Sequence, residues 1–248
     1  MQSFFVGLVY PFRAFGLIAS TPRLWRFVVV PILVNIIVAA VLYGGLLFLG
    51  LRQIDAQVGT ATGLAALVAG LLRLLLVIGL LIVIGFLLVR FGVVLGSPWY
   101  SQLSEHLEQQ LTGYAPPAEP LTARGIARDL RSALAFEAKK LLLVVAIGVP
   151  LLLINLLPGF GQVVSTVGGF ALGALIACLD FFDGPLERRR LRFRAKLRAV
   201  RRGMPASIGF GLVCFALVSV PFVNLLSIPV CVAAGTLFFC EQLRRERR

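Results

Sequence analysis

The sequence predicts an all-α integral membrane protein: two long transmembrane helices, two hydrophobic helical hairpins and a small helical cytoplasmic head. Three observations predict it. Hydrophobic residues make up 59% of the 248 positions and charged residues 14%, with a mean hydropathy of +0.95, more apolar side chain than a soluble domain of this length hides. The apolar residues lie in long runs. Two of these runs, 141–179 and 208–240, are folded in half by Pro, Gly and Asn.

Taken in order, the segments form one membrane domain over 1–248. Phe4, Phe5, Leu8, Phe12 and Phe15 recur at helical spacing and predict an interfacial helix over 3–20. This start lacks the basic n-region of a cleavable signal. The first span, 27–50, is uncharged and contains Pro31 and Asn35; residues 51–63 read as a short loop. The second span, 64–95, has Arg73 and Arg90 around a charge-free stretch from Leu74 to Val89, about 25 Å apart on a helix, so that each snorkels to an interface.

A soluble insert over 97–140 follows. Ser97-Pro98 reads as a helix start and Gly113 as its end; Thr122 caps a second helix over 123–141. The first hairpin, 141–179, turns at Pro158-Gly159-Phe160-Gly161. Its second arm is long enough to cross alone, so length leaves open whether it spans. A basic helix over 186–202 places Phe193, Leu197, Val200 and Met204 on one face. The second hairpin, 208–240, breaks at Pro221-Phe222-Val223-Asn224, leaving arms of about 20–24 Å against a hydrocarbon core of about 30 Å. Such arms enter a bilayer but do not cross it. A basic tail, 241–248, closes the chain.

Net charge is +13, and nine of the 24 Lys and Arg fall between Arg188 and Arg202. In a membrane chain such segments mark the cytoplasmic side and meet anionic lipid headgroups, rather than nucleic acid. Counting by side puts both termini, the insert and the basic helix in the cytoplasm and the 51–63 loop outside. Cys178, Cys214, Cys231 and Cys240 lie in or beside apolar runs and read as small buried hydrophobes.

Two features point to chemistry. Pro31-x3-Asn35, Pro150-x4-Asn155 and Pro221-x2-Asn224 each put a helix break beside an amide within an apolar run. Such pairs either close a kink or line a polar path. Thr21-Pro22-Arg23-Leu24-Trp25-Arg26 precedes the first span; a capped helix start with arginines supplies what holds a tetrahedral dianion without metal. Lipid headgroup contact by the same arginines is the plainer alternative. Enzyme chemistry has little support. His106 is the only histidine and has no partner at metal-ligand spacing, and Glu105, Glu108, Glu137, Asp180 and Asp183 flank basic helices, as salt-bridge partners do. The sequence therefore implies no metal, cofactor or catalytic residue.

Several stretches then carry a resemblance. They are Pro22-x-Leu24-x-Arg26-Phe27 leading to Pro31-x3-Asn35; Ser97-Pro98-x3-Gln102-Leu103-x-Glu105; Leu111-Thr112-Gly113 and Glu137; Leu157-Pro158-Gly159-Phe160-Gly161-Gln162; Asp183-x-Pro185 and Phe193; Gly209-Phe210-Gly211; and Pro221-x2-Asn224-Leu225-Leu226 with Pro229. In this order the chain resembles the CysZ sulfate permease family of the etoposide-induced-protein domain, over about 5–243. The resemblance implies two crossing helices, two pairs of hemi-penetrating helices and a cytoplasmic head with Glu105, Glu137 and Asp183 in its network. It implies a homo-oligomer in the bacterial inner membrane that admits sulfate or a similar oxyanion for cysteine synthesis. In the family a pair of adjacent arginines before the first long helix is associated with sulfate. Here Arg26 matches one, Trp25 stands in place of the other, and Arg23 lies one turn back. Arg26, Arg23, Trp25 and Leu24 are thus the expected anion site, and Pro31, Asn35, Pro150, Asn155, Pro221 and Asn224 the expected pore or kink residues. The rival expectation is a non-transporting scaffold of the same domain that shapes lipid.

Overall fold

The computed structural model describes residues 3–58, 62–114, 116, 123–220 and 223–243, with 87–95, 123–133 and 225 described by backbone alone. Among them every regular element is helical: α1 Phe4–Ser20, α2 Pro22–Val58, α3 Leu64–Thr112, α4 Ala123–Ile154, α5 Phe160–Phe181, α6 Asp183–Glu187, α7 Phe193–Arg202, α8 Ala206–Ser219 and α9 Val223–Phe238, which continues as a π-helical turn Phe239–Leu243. The chain forms two compact units, residues 26–99 and residues 1–25 with 100–248.

The 26–99 unit consists of most of α2 and the larger part of α3. Gly50 opposes the Leu76 side chain, the Tyr43 hydroxyl donates to Val77 O at 3.5 Å, and Arg73 pairs with Asp55 at 2.7 Å. The remaining surface is apolar and open: Val41, Leu49, Leu67, Ile82 and Phe86 are each about two-thirds exposed. Exposed apolar surface on this scale marks contact with lipid. Most of the expected 51–63 loop is helix: α2 continues to Val58, carrying Arg52 and Asp55 with it, and 59–61 lie outside the described residues.

Two further helix boundaries differ from the sequence expectation. Ser97-Pro98 starts no new helix; α3 runs through it to Thr112, and Gly113 then takes φ +70°. A proline inside a helix costs about 3 kcal/mol. Burial of Tyr100, Leu103 and Leu107 in the next two turns offsets that cost. Likewise the predicted helix over 123–141 and the first arm of the 141–179 hairpin are one helix, α4. Passing from Lys140 to Leu141 changes the solvent the helix prefers but breaks no backbone hydrogen bond.

Helix α5 folds back on α4 after Gly159, which has φ +79°. Gly161 lies against Ile154 O and Gly168 against the Leu151 side chain. Lys140 Nζ meets both Asp180 and Glu137 at 2.7 Å, holding the polar ends of the two arms level.

The second hairpin consists of α8, 14 residues, and α9, 16 residues, which the π-helical turn lengthens to Leu243, beyond the arm expected from the sequence. Its Pro221 and Phe222 lie outside the described residues, as does the tail from Arg244. Its environment is the finding. Ile228, Val230, Cys231, Ala233, Ala234, Leu237 and Phe238 of α9 are all buried, enclosed by α1, α5 and α8. Helix α1 is therefore not simply an interfacial helix. Gly7, Tyr10, Pro11, Ala14 and Ile18 pack inward, while of the predicted stripe Phe5, Phe12 and Phe15 face out and Phe4 and Leu8 are half-buried. Phe182 stacks between Phe210 and Phe238 with ring centroids at 4.8 and 5.0 Å, and Tyr10 meets Phe238 edge-on at 5.0 Å.

The basic helix expected over 186–202 is two pieces. Arg190, at φ +50°, interrupts it, and Leu191 N–H returns to Leu186 O at 3.2 Å. The break lets Arg188 and Arg189 turn inward while α7 runs separately. On α7 the buried residues are Lys196, Ala199 and Val200; of the predicted apolar face Val200 is buried, Phe193 and Leu197 are half-buried and Met204 is exposed.

Candidate functional site: an arginine-bearing helix start and a buried charge network

Thr21 separates α1 from α2. Its backbone is extended, and its N–H closes α1 by bonding Ile18 O at 3.2 Å. Helix α2 then starts at Pro22, whose fixed φ suits a first helical position. Leu24 is fully buried and anchors this turn; its N–H is taken by Thr21 O at 2.9 Å. The Trp25 indole N–H donates to Ile18 O at 3.0 Å, tying the start of α2 back to α1. Arg23 and Arg26 are exposed and three residues apart, hence one turn apart on the helix. The Arg26 guanidinium lies 4.6 Å over the Phe27 ring. Stacking by its face leaves the N–H edge of a guanidinium open. Among the described residues neither arginine forms an ion pair.

The Pro and Asn breaks occupy different surroundings. Asn35 is buried and its Nδ2 donates to Pro31 O at 2.9 Å, a bond within one turn of α2. Pro150 and Asn155 are exposed; Asn155 lies just past the end of α4, near the hairpin tip. Asn224 is buried at the first turn of α9, where its backbone N–H bonds Val220 O at 3.0 Å and its Oδ1 has no partner among the described residues.

Polar groups do converge at the end of α3. Glu108 is fully buried between Arg188, at 2.7 Å, and Arg189. Arg188 Nη2 also donates to Ser104 Oγ at 3.0 Å, and Ser104 lies 2.7 Å from Thr236 Oγ1. One cluster thus joins α3, the α6 end and α9. Beside it Lys196, 2% exposed, holds Asp183 and Glu187. Phe136 lies 4.2 Å beneath the Lys196 ammonium and packs edge-on against Phe193.

Of the head residues expected from the sequence, Glu137 and Asp183 join charge pairs, whereas Glu105 is half-buried and pairs with none of the described residues. Glu108, three positions on, is the acid the arginines enclose. The helical phase carried that signal: Glu108 shares a face with Ser104 and follows buried Leu107.

Burial raises the Glu108 carboxyl pKa, but hydrogen bonds and charge from Arg189 and Arg188 outweigh it and hold the group below the usual carboxylate range. Asp183 goes the other way: burial raises it more than Lys196 lowers it.

The long apolar helices define the class, a multi-pass helical membrane protein. Four described segments are long and apolar enough to cross a bilayer: Pro22–Val58, Leu64–Phe86, Phe160–Phe181 and Leu226–Leu243. The chain belongs to the family described as sulfate transporter CysZ/etoposide-induced protein 2.4, whose profile matches residues 10–229. It is 30% identical over 242 residues to the sulfate transporter CysZ of Pectobacterium atrosepticum, covering 96% of this chain and 86% of the relative. It is 28% identical to that of Salmonella typhimurium, covering 94% and 91%, and 26% identical to that of Vibrio cholerae, covering 92% and 91%.

A depressed carboxyl contributes stability above its unfolded pKa and loses it as pH falls through the folded value. Stability held by Glu108 is therefore expected to be intact above about pH 4.3 and to fall on further acidification. Asp183, with a raised pKa, contributes in the opposite sense, losing stability as pH rises from the ordinary carboxylate range through its own value. Thermal midpoints followed from pH 3 to 7 check this: Glu108→Gln removes the acid-side loss and leaves the opposite slope from Asp183. Glu108→Ala removes the acid from two part-buried arginines and is expected to lower the thermal midpoint more than Glu108→Gln does.

Proposed function

We propose that this protein is a membrane transporter for sulfate, or a closely similar oxyanion, that supplies cysteine synthesis. The observation that carries the reading is the pair Arg23 and Arg26 on the opening turn of α2, exposed and without an acid partner among the described residues, in a chain similar along nearly its whole length to sulfate transporters. An oxyanion needs planar donors and positive potential. Two arginines one turn apart offer both, and the first turn of a helix adds its dipole. Trp25 holds the turn in place through its indole bond to Ile18 O, so Arg23 takes the role that an arginine at 25 has elsewhere in the family.

The same reading places the protein in the bacterial inner membrane, with both termini and the charged head in the cytoplasm. The exposed arginines of α7, Arg194, Arg198 and Arg201, would rest on anionic headgroups. The arm of about 21 Å in α8 suits a hairpin that enters without crossing. The level base at Lys140 and Asp180, with only 14 residues from Leu141 to Ile154, suits the same depth for α4 and α5. An oligomer of the chain would cover the polar tips.

Radiolabelled sulfate uptake into proteoliposomes tests the transport reading. The wild-type chain is expected to exceed empty vesicles, Arg23→Ala/Arg26→Ala to fall about tenfold or more, and Trp25→Arg to raise apparent affinity. Flux equal to empty vesicles, or full flux in the double variant, removes the site. Flux absent alongside remodelling of anionic vesicles would instead favour a lipid-organising scaffold, the reading that the basic face of α7 supports. Topology is checked with a membrane-impermeant maleimide on intact cells. Gln53→Cys is expected to label from outside and Asn155→Cys not to label; labelling of both would mean that the first hairpin crosses.

A further inference from the structure

A cavity of about 290 Å³ opens beside α7, bounded by α6 and the π-helical turn Phe239–Leu243. Its walls are mostly apolar, with Leu186, Leu191, Ala195, Ala199, Phe239 and Leu243, and are completed by Pro116 and by Tyr114, which brings one phenol. Two cations join them, and they differ in state. Arg189 is committed, with Nη2 on Glu108, Nη1 donating to Pro185 O at 2.8 Å, and its face 4.6 Å over Phe239. Arg202, on the last turn of α7, is exposed and forms no ion pair among the described residues.

The cavity's size and lining do not suit sulfate alone. It has room for about ten waters at ~30 Å³ each, and its apolar walls would leave most oxygens of a bare oxyanion without donors. They do suit a ligand with two parts. Between Arg188 and Arg202 the sequence has nine basic residues and no acid, so the local potential concentrates anions. The π-helical turn is a second, independent feature. Such turns recur at functional sites because the wider coil re-aims side chains, and here the turn contributes Phe239 and Leu243 to the wall.

We propose that this cavity is a binding site for a small organic anion. A single carboxylate, phosphate or sulfonate group pairs with Arg202, and a compact apolar body lies against Leu191, Ala195 and Phe239. The site shares no residue with Arg23 and Arg26, so it does not depend on the transport reading.

The test uses the full chain in nanodiscs of neutral lipid, with 1-naphthyl phosphate as probe and equilibrium dialysis as readout. Saturable binding of one probe per chain is expected. Arg202→Gln should weaken it about tenfold, and Ala195→Trp, which fills the cavity, should abolish it; Arg23→Ala/Arg26→Ala should leave it unchanged. If Ala195→Trp fails to give a folded chain, Ala195→Leu should still weaken binding measurably. Dodecyl phosphate as competitor separates the sources of such an anion. Displacement at lower concentration than the naphthyl probe indicates a single-chain lipid, and weaker displacement a soluble metabolite. The proposal is overturned by non-saturable binding, by binding that both cavity variants leave intact, or by inorganic sulfate displacing the probe at equal concentration.

Discussion

Within the unit formed by residues 1–25 and 100–248, the structure depends on how closely helix backbones approach α8 and α9. A Cβ at Gly7 would lie 1.8 Å from Ala206 O, and one at Gly209 2.3 Å from Phe4 O, so α1 and α8 touch backbone to backbone. On the other side a Cβ at Gly211 would lie 2.3 Å from Ala174 O, and one at Gly235 2.1 Å from Phe181 O. In lipid there is little hydrophobic force between apolar helices; close packing of small residues takes its place. With α1 and α5 this close, Phe182, Phe210, Phe238 and Tyr10 meet as one aromatic cluster. Helix α9 is thereby enclosed by protein.

The charge network follows from that packing. Thr236 sits on the enclosed helix α9 and meets Ser104, which brings the end of α3 against the core. Glu108, one turn on, is then fully buried and requires two arginines. Those arginines come from the strand of basic sequence after α6, and the left-handed turn at Arg190 lets them face inward. Buried ion pairs are costly to form and more costly to break. The network ties α3, the end of α6 and α9 together. The outward charge left over lies on α7 and on the opening turn of α2.

Much of this was legible in the sequence, for identifiable reasons. Helix class follows from apolar runs with no alternating pattern, and the break between α8 and α9 follows from Pro221 and Asn224. The start of α2 at Pro22 was legible because proline has few places in a helix. What misled was local punctuation read without tertiary context. Ser97-Pro98 has the form of a helix start, yet packing of Tyr100, Leu103 and Leu107 carries α3 through it. Lys139-Lys140 followed by leucines reads as a boundary, yet α4 crosses it unbroken. Of the apolar stripe of α1, Phe5, Phe12 and Phe15 face out while Phe4 and Leu8 are half-buried, and the inward face is built from Gly7, Tyr10, Pro11 and Ala14, which are small or only weakly apolar and so escape a hydrophobicity pattern. For the candidate site, the sequence pointed to Arg23 and Arg26. It did not show which acid the α6 arginines would enclose, because that pairing spans about eighty residues and depends on the fold.

The central claim is that α9 is the enclosed core and that glycine contacts enclose it. Hydrogen–deuterium exchange of the chain in nanodiscs measures this most directly. The account predicts that amides from Ile228 to Phe238 exchange among the slowest in the chain, and that Gly209→Val, which drives a side chain into the α1 backbone, speeds them at least tenfold while leaving α2 unchanged. Fast exchange across α9 in the wild-type chain, or no change in Gly209→Val, would contradict it.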